Sequence, residues 1–241
     1  MKKLERCSSL VDLRPRAAHP PQEYSIPSSA QAHSSPRSAT GPTDLALVAV
    51  FAALIAVLSL APAIPLGGGV PITLQTLGVA LTGLTLGPVR GLLSVLLYLA
   101  VGLVGLPVFA GGTAGLAVLA KPSVGYLLSF PIAALVAGLL ARTIARGPKL
   151  RLLRLFVSAF AASVIVVHPA GIAGLHLVAG MDWGKAALTD LAFWPGDLVK
   201  SFLAAAIALT VHRAFPWLAT GRRTVRGELA ADAGAGQSSP V

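Results

Sequence analysis

Two ionisable side chains, Asp197 and Lys200, stand inside an apolar stretch near the C-terminus, FWPGDLVKSFLAAAIALTVHRAF. Residues three positions apart lie on the same face of a helix, so the two charges can meet. A structural ion pair is the simpler interpretation, but burying two charges only to pair them gains little stability. Ionisable residues inside a membrane segment more often mark a functional site. A lysine beside an aspartate suits a ligand with both an anionic group and an N–H donor.

Few other residues suggest chemistry. His168 and His176 are eight residues apart, roughly on one face of a helix, which permits a proton or metal site. No third ligand is evident beside them, so burial at a packed interface is the simpler interpretation. The sequence lacks a phosphate-binding loop and the motifs of metalloproteases and serine hydrolases, and its lone Cys7 excludes an intrachain disulfide. We therefore predict a protein that is not an enzyme and holds no cofactor and no metal.

The composition is that of an integral membrane protein. Of the 241 residues, 55% are hydrophobic and only 12% are charged, which is too little charge to cover a soluble domain. The formal net charge of +10 comes from lysines and arginines in tails and short loops, without interleaved aromatic residues. This pattern indicates membrane topology rather than a nucleic-acid partner.

Six apolar segments are long enough, or nearly so, to cross ~30 Å of hydrocarbon as helices. They span residues 44–62, 72–87, 89–106, 124–142, 152–179 and 188–212. The fifth contains HPAG, whose proline and glycine predict a break. With a cytoplasmic N-terminus, sixteen of the 19 Lys and Arg residues fall on the cytoplasmic side and two on the outer side. This bias predicts an all-α bundle of six transmembrane helices with both termini inside.

Both ends of the chain differ from its apolar middle. Residues 1–43 are rich in Pro, Ser and Ala without apolar periodicity, which predicts a disordered N-terminal tail. No apolar run follows the first lysines, so we do not expect a signal peptide. Residues 214–241 are predicted to form a largely disordered cytoplasmic tail, which leaves residues 44–213 as the membrane domain.

The predicted topology places three unusual segments on the outer side: PLGGGVPITLQTLGVAL, GLPVFAGGTAGLAVLAKPS and WPGDLVK. The second is an apolar, glycine-rich loop with Phe109, and such a loop either folds over a site as a lid or merely caps the bundle. If the last helix begins near Ala187, Asp197 and Lys200 lie roughly 15–20 Å deep. We therefore predict a cavity that opens outward.

The first helix carries a stripe of small residues, Ala46, Ala49, Ala53 and Ala56. Small residues three and four positions apart let another helix approach closely. Packing inside the bundle and docking of a partner protein both explain such a stripe.

The segments VPITLQTLGVALTGLTLGPVRGLLSVLLYLAVGLVGLPVFAGGTAG, KPSVGYLLSF and WPGDLVK together resemble the BioY family over residues 44–213. The resemblance implies a biotin-binding substrate-specificity (S) component of an energy-coupling-factor (ECF) transporter in the plasma membrane. It also implies three partner subunits, a transmembrane coupling protein and two ATPases, with Ala49 and Ala53 in the surface that meets the coupling protein. The biotin-binding residues implied by the resemblance are Gln75, Tyr98, Phe109, Gly111, Gly112, Asp197 and Lys200.

Biotin agrees with what these residues suggest on their own. Its carboxylate suits Lys200, its ureido N–H groups suit Asp197 or the amide oxygen of Gln75, and its thiophane ring suits apolar walls. Two alternatives stay open. One is a solitary biotin transporter without an ATPase module; the other is a membrane scaffold protein in which the Asp197–Lys200 pair locks a partner helix. The scaffold hypothesis leaves the glycine-rich loop and Gln75 unexplained.

Overall fold

The structure is a computed structural model that describes residues 42–64, 69–145 and 150–220. The regular structure in these ranges is helical. The helices are α1 (Pro42–Leu60), α2 (Gln75–Leu86), α3 (Pro88–Val104), α4 (Val124–Ile144), α5 (Arg151–Ala162), α6 (His168–Ala179), α7 (Trp183–Leu191), α8 (Trp194–Ala214) and α9 (Pro216–Thr220). Two short 3₁₀ turns, Ala110–Gly112 and Leu116–Ala120, lie between α3 and α4. Strand-like pairing in the described ranges is limited to isolated bridges, which confirms the prediction of an all-helical protein.

Four helices are long and apolar enough to cross a membrane: α1, α4, the continuous helix that contains α5 and α6, and α8. Helices α2 and α3 are apolar but shorter, with 12 and 17 residues. Each of the six predicted apolar segments overlaps one of these helices. Large aliphatic side chains such as Val50, Ile132 and Leu203 are exposed along them, which suits a hydrocarbon surrounding rather than water. The chain is a helical membrane protein.

The HPAG sequence does not interrupt the fifth predicted segment. Pro169 lacks the backbone N–H that would otherwise bond the carbonyl of Ile165. The backbone instead widens over Ser163–Val167 into a π-helical segment, where the His168 N–H donates to the Ser163 carbonyl. The predicted break is thus a local change of pitch, of a kind that is frequent at functional sites.

The last long helix begins later than predicted. Segment 188–212 is divided between α7 and α8, and α8 begins at Trp194 with Pro195 in its first turn, where a missing N–H costs nothing. The expectation that this helix begins near Ala187 is therefore wrong, and so is the depth of 15–20 Å that followed from it. Asp197 lies in the first turn of α8, where the helix dipole favours a negative charge.

The two predicted tails fall largely outside the described residues. Of segment 1–43, the described part is Pro42 and Thr43, which begin α1. Of segment 214–241, the described part ends at Thr220, in α9. The disorder predicted for both tails stays a prediction.

Charged side chains gather at one end of the bundle. Arg90, at the start of α3, pairs with Asp44 of α1 at 2.8 Å. Arg151, at the start of α5, contacts the His212 ring of α8 at 3.2 Å, and the other ring nitrogen lies 3.3 Å from the Thr85 carbonyl near the end of α2. The start of α2 and the loop between α3 and α4 therefore lie at the opposite end.

Candidate functional site

A cavity of about 150 Å³ lies at the end of the bundle away from these arginines. Its polar lining consists of Thr73, Gln75, Thr76, Thr113, Lys121, Ser123, Tyr126, Asp197 and Lys200, and its larger apolar side chains are Val70, Phe109, Val118, Leu127, Phe130, Val167 and Phe193. A second cavity of about 20 Å³ also touches Asp197 and Lys200, so the two charges lie between the two spaces. Apolar walls with a few convergent polar groups are typical of a small-ligand site.

Asp197 and Lys200 form a buried, braced ion pair at this position. The two residues are 4% and 8% exposed, and Lys200 Nζ donates to Asp197 Oδ1 at 3.0 Å. Thr76 on α2 connects them, because its hydroxyl accepts from Lys200 Nζ at 3.2 Å and donates to Asp197 Oδ1 at 3.1 Å. Ser163, in the π-helical segment, donates to Asp197 Oδ2 at 3.1 Å. An ammonium has three N–H groups, so one on Lys200 stays available for a ligand.

Gln75 is oriented by a tyrosine behind the cavity wall. Its side-chain Nε2 donates to the Tyr98 hydroxyl, which lies 3.1 Å from Ser59 Oγ and 3.2 Å from the Val108 carbonyl. This bond uses one of the two N–H groups and orients the amide, so the carbonyl oxygen Oε1 and the second N–H are the groups that Gln75 can offer to a ligand. Tyr98 itself is fully buried and is not part of the cavity lining.

Phe109 fixes the α3–α4 loop against the bundle. Its ring is 2% exposed and meets the Tyr98 ring edge-on, with 5.5 Å between the centroids. The ring lies directly over Gly102 of α3, where a Cβ atom would overlap it. The Gly115 N–H also bonds the Gly102 carbonyl at 2.8 Å. The apolar loop is therefore anchored by side-chain packing, with Phe109, Ala110 and Thr113 in the cavity wall.

The predicted site residues occupy different positions around this cavity. Gln75, Phe109, Asp197 and Lys200 line it, and Tyr98 contacts two of them from behind. Gly111 and Gly112 are exposed and do not line it. Both adopt positive φ angles, 69° and 70°, so they serve the turn that carries Phe109 to its place. Ala49 and Ala53 are exposed on α1 and are not part of the cavity lining.

Several residues of the site were not assigned to it from the sequence, and His168 was interpreted as part of a packed interface. Thr76 and Ser163 brace the ion pair, Lys121 lines the cavity, and Asp190 with His168 forms a buried group behind Asp197. Asp190 carried a usable signal, since it is an ionisable residue inside an apolar segment like Asp197. Thr76 and Ser163 gave no such signal in the sequence, because Ser and Thr are common in membrane helices.

The two histidines of the fifth predicted segment have different surroundings. His168 is 2% exposed and belongs to the group behind Asp197. His176 contacts the Met181 carbonyl at 2.7 Å and stacks on Trp183. They do not form a common site. Across the described part of the chain, no group of three or more His, Cys, Asp and Glu side chains is arranged to hold a metal ion.

Comparisons with known proteins agree on one family. The model of the BioY family matches residues 30–217, which extends beyond the predicted 44–213 at both ends. The biotin transporter BioY of Rhizobium etli is 39% identical over 179 residues, which cover 73% of this chain and 96% of that protein. The biotin transporter BioY of Rhodobacter capsulatus is 41% identical over 183 residues, covering 72% and 95%.

A solved structure has the same fold. It is the S-component for biotin from an ECF-type ABC transporter, 30% identical in sequence, with a TM-score of 0.67. The match covers 71% of this chain and 91% of that one.

Proposed function

The chain belongs to the BioY family, and we propose on that premise that it binds biotin as the S component of an ECF-type transporter. The observation that carries the proposal is the Asp197–Lys200 pair, buried and braced in the wall of a cavity between α2, α4 and α8. An ion pair in a membrane domain is costly to bury. A ligand that uses both partners accounts for its presence at the cavity rather than inside the packed bundle.

The chemistry of the lining matches the parts of biotin. The ureido N–H groups suit Asp197 and the free Oε1 of Gln75, which are acceptors, and the ureido carbonyl suits the remaining N–H of Lys200. The carboxylate suits an ammonium, and the cavity holds a second one on Lys121. The thiophane ring and the aliphatic chain suit aromatic walls such as Phe109 and Phe130.

The finer topology is part of the same proposal. We place all six apolar helices across the plasma membrane, with both termini in the cytoplasm. The arginine-rich end, which includes Arg90 and Arg151, then faces the cytoplasm in accordance with the positive-inside rule. The cavity opens to the outer side, where a scavenged vitamin arrives. Helices α2 and α3 are shorter than the others, and tilt or local thinning of the bilayer accommodates short spans.

The energy source lies in other subunits. The sequence has no phosphate-binding loop, so ATP hydrolysis falls to two ATPase subunits joined through a transmembrane coupling protein. Ala49 and Ala53 are exposed on α1, as a docking surface for a closely approaching helix requires. On this proposal the chain itself binds and carries biotin and catalyses no reaction.

Isothermal titration of the purified full chain tests the proposal. Biotin should bind saturably, whereas pantothenate, another anionic vitamin without a ureido ring, should not bind. Desthiobiotin, which keeps the ureido ring and the carboxylate but lacks the sulfur bridge, should bind more weakly because it fills the apolar walls less completely. Absence of biotin binding by a folded, monodisperse protein would overturn the proposal.

A further inference from the structure

A second buried carboxylate lies behind the Asp197–Lys200 pair and is linked to it by His168. His168 Nδ1 is 2.9 Å from Asp190 Oδ2 and 3.0 Å from Asp190 Oδ1. On the other side of the ring, His168 Nε2 faces Asp197 Oδ2 at 3.7 Å. His168 and Asp190 are 2% and 1% exposed. The imidazole therefore stands between two buried carboxylates, one of which lines the cavity.

The other partners of this group are neutral hydrogen-bond donors. The Tyr126 hydroxyl donates to Asp190 Oδ1 at 2.7 Å, and Trp194 Nε1 donates to Asp190 Oδ2 at 3.1 Å. The Trp194 ring also stacks on the imidazole, with 5.0 Å between the centroids. Lys200 on α8, in contrast, is charged and forms an ion pair with Asp197. The titratable or charged groups around His168 are thus Tyr126 on α4, Asp190 on α7, and Asp197 with Lys200 on α8.

Charge balance favours a protonated imidazole. Two carboxylates and one ammonium leave a net charge of −1 in a group that is more than nine-tenths buried, and an uncompensated buried charge is strongly destabilising. An imidazolium at His168 makes the group neutral. It also gives each carboxylate a positive neighbour, so neither has to take up a proton to remain buried.

Hydrogen-bond geometry gives the same answer. A neutral His168 that donates from Nδ1 to Asp190 would turn the lone pair of Nε2 toward Asp197 Oδ2, and two acceptors would face each other. Nε2 is buried and has no hydrogen-bond partner among the described residues. An N–H on Nε2 points at the carboxylate 3.7 Å away and converts this repulsion into attraction.

We propose that His168 is an imidazolium that bridges Asp190 and Asp197 and keeps Asp197 ionised and oriented for the ligand. It is a positioning residue, since it acts through Asp197 and is absent from the cavity lining. This role in ligand binding rests on the proposed function, whereas the charge state of His168 does not. Without the imidazolium, the buried group keeps a net negative charge, which disfavours an ionised Asp197 and weakens it as an acceptor for a ligand N–H group.

The charge state is tested without any ligand. The full chain is labelled with ¹⁵N-histidine, placed in nanodiscs, and its imidazole nitrogens are recorded by NMR at about pH 7, on the neutral side of the ordinary histidine range. The His168 signals are those lost in His168→Gln. Both of its nitrogens should carry a proton. A neutral ring with one bare nitrogen would overturn the proposal, whatever the protein binds.

The role in binding is tested by a charge-balanced pair of substitutions, with titration of biotin. His168→Gln leaves the group with a net negative charge and should weaken biotin binding roughly tenfold or more. His168→Gln combined with Asp190→Asn is neutral again and should recover most of the affinity. Equal losses in the single and double variants, both folded by thermal melting, would show a merely structural role and overturn the proposal.

The two proposals fail in different ways. If the wild-type chain does not bind biotin, the proposed function falls, and the NMR experiment still decides the charge state of His168. If His168→Gln binds biotin with the wild-type affinity, the proposed function stands and the role of His168 falls.

Discussion

Gln75 on α2 and Tyr98 on α3 are joined by a hydrogen bond from the Gln75 amide nitrogen to the Tyr98 hydroxyl. This bond orients the amide, because it uses one of the two N–H groups and leaves the carbonyl oxygen and the second N–H for a ligand. A fully buried residue outside the cavity lining thereby sets the chemistry that the cavity offers.

Replacing Tyr98 by Phe should therefore weaken biotin binding, although Tyr98 does not line the cavity. The substitution keeps the aromatic packing on Phe109 and removes the partner that orients Gln75. A neutral hydrogen bond contributes about 0.5–1.5 kcal/mol, so we expect the Kd measured by titration to rise about 2- to 13-fold. Ser59 also loses a neighbour, and the melting temperature is measured alongside. A lower melting temperature with an unchanged Kd would remove Gln75 from the ligand contacts.

Gly102 should tolerate no side chain. A Cβ atom there would overlap the Phe109 ring, and overpacking typically costs about 1–3 kcal/mol. Phe109 would have to move, and the cavity wall with it, so Gly102→Ala should lower biotin affinity. Gly196→Ala is the matched control, because a Cβ there meets its nearest atoms, Cε and Nζ of Lys200, at 3.9 Å, an ordinary contact distance that requires no movement of Lys200. Equal affinities for the two variants would mean that the position of Phe109 does not matter for binding.

The stripe on α1 should be needed for uptake but not for binding. Ala49 and Ala53 are exposed, so Trp at either position should leave the purified protein able to bind biotin. The same substitution should block the close approach of a coupling protein and abolish uptake of labelled biotin by cells. Ile132→Trp, at an exposed position of α4, controls for a bulky residue in the bilayer. Loss of binding in the α1 variants would place the stripe in the packing of the bundle instead.

The parts of the fold that the sequence predicted are those set by long apolar runs. All six predicted segments overlap helices, because hydrocarbon requires a continuous apolar surface and internally bonded backbone. The division of the last segment at Trp194 was not predicted, since Pro195 is equally compatible with a kink inside one helix and with the start of a new one. The π-helical turn before Pro169 was predicted as a break, because a proline in a helix is compatible both with a break and with a local change of pitch.

The site shows a similar division between charged and neutral residues. Asp197 and Lys200 were predicted because charges in an apolar segment are conspicuous. Thr76 and Ser163 were not, because their role depends on where α2 and the π-helical segment meet α8. Gly111 and Gly112 were assigned to the ligand through the resemblance to the family, and the structure places them outside the cavity lining, in the exposed turn that follows Phe109.

The carboxylate of biotin should depend on Lys121. Lys200 already donates to Asp197 and Thr76, whereas Lys121 lines the cavity without a partner among the described residues. A hydrogen bond to a charged group is worth about 1.5–3 kcal/mol, so Lys121→Gln should weaken biotin binding at least about tenfold. It should leave the affinity for biotin amide, which lacks the charge, nearly unchanged.

Lys185→Gln is the matched control for Lys121→Gln, because Lys185 is exposed on α7 and does not line the cavity. It should bind both ligands as the wild type does. If Lys121→Gln weakened biotin and biotin amide equally, Lys121 would not be the carboxylate partner. The affinities of Lys200→Met for biotin and for biotin amide then show whether the Lys200 ammonium contacts the carboxylate.

The Asp197–Lys200 pair should contact biotin and not serve only as a structural ion pair. Lys200→Met removes one charge and leaves Asp197 with Thr76, Ser163 and the more distant His168, so binding should weaken roughly 10- to 150-fold. Asp197→Asn keeps the shape but replaces one acceptor oxygen by a donor, which should also reduce affinity. Each single substitution leaves the buried group with one uncompensated charge and should lower stability as well.

The double variant separates the two explanations, since Asp197→Asn with Lys200→Met removes both charges together. Replacing a buried ion pair by neutral groups is often harmless to folding, so the melting temperature should recover from its values in the single variants. If the pair is purely structural, biotin affinity should recover together with the melting temperature. If the pair contacts the ligand, the double variant should reach the membrane, melt normally and still bind biotin poorly. Wild-type affinity in that folded protein would contradict the assignment of both residues to the ligand.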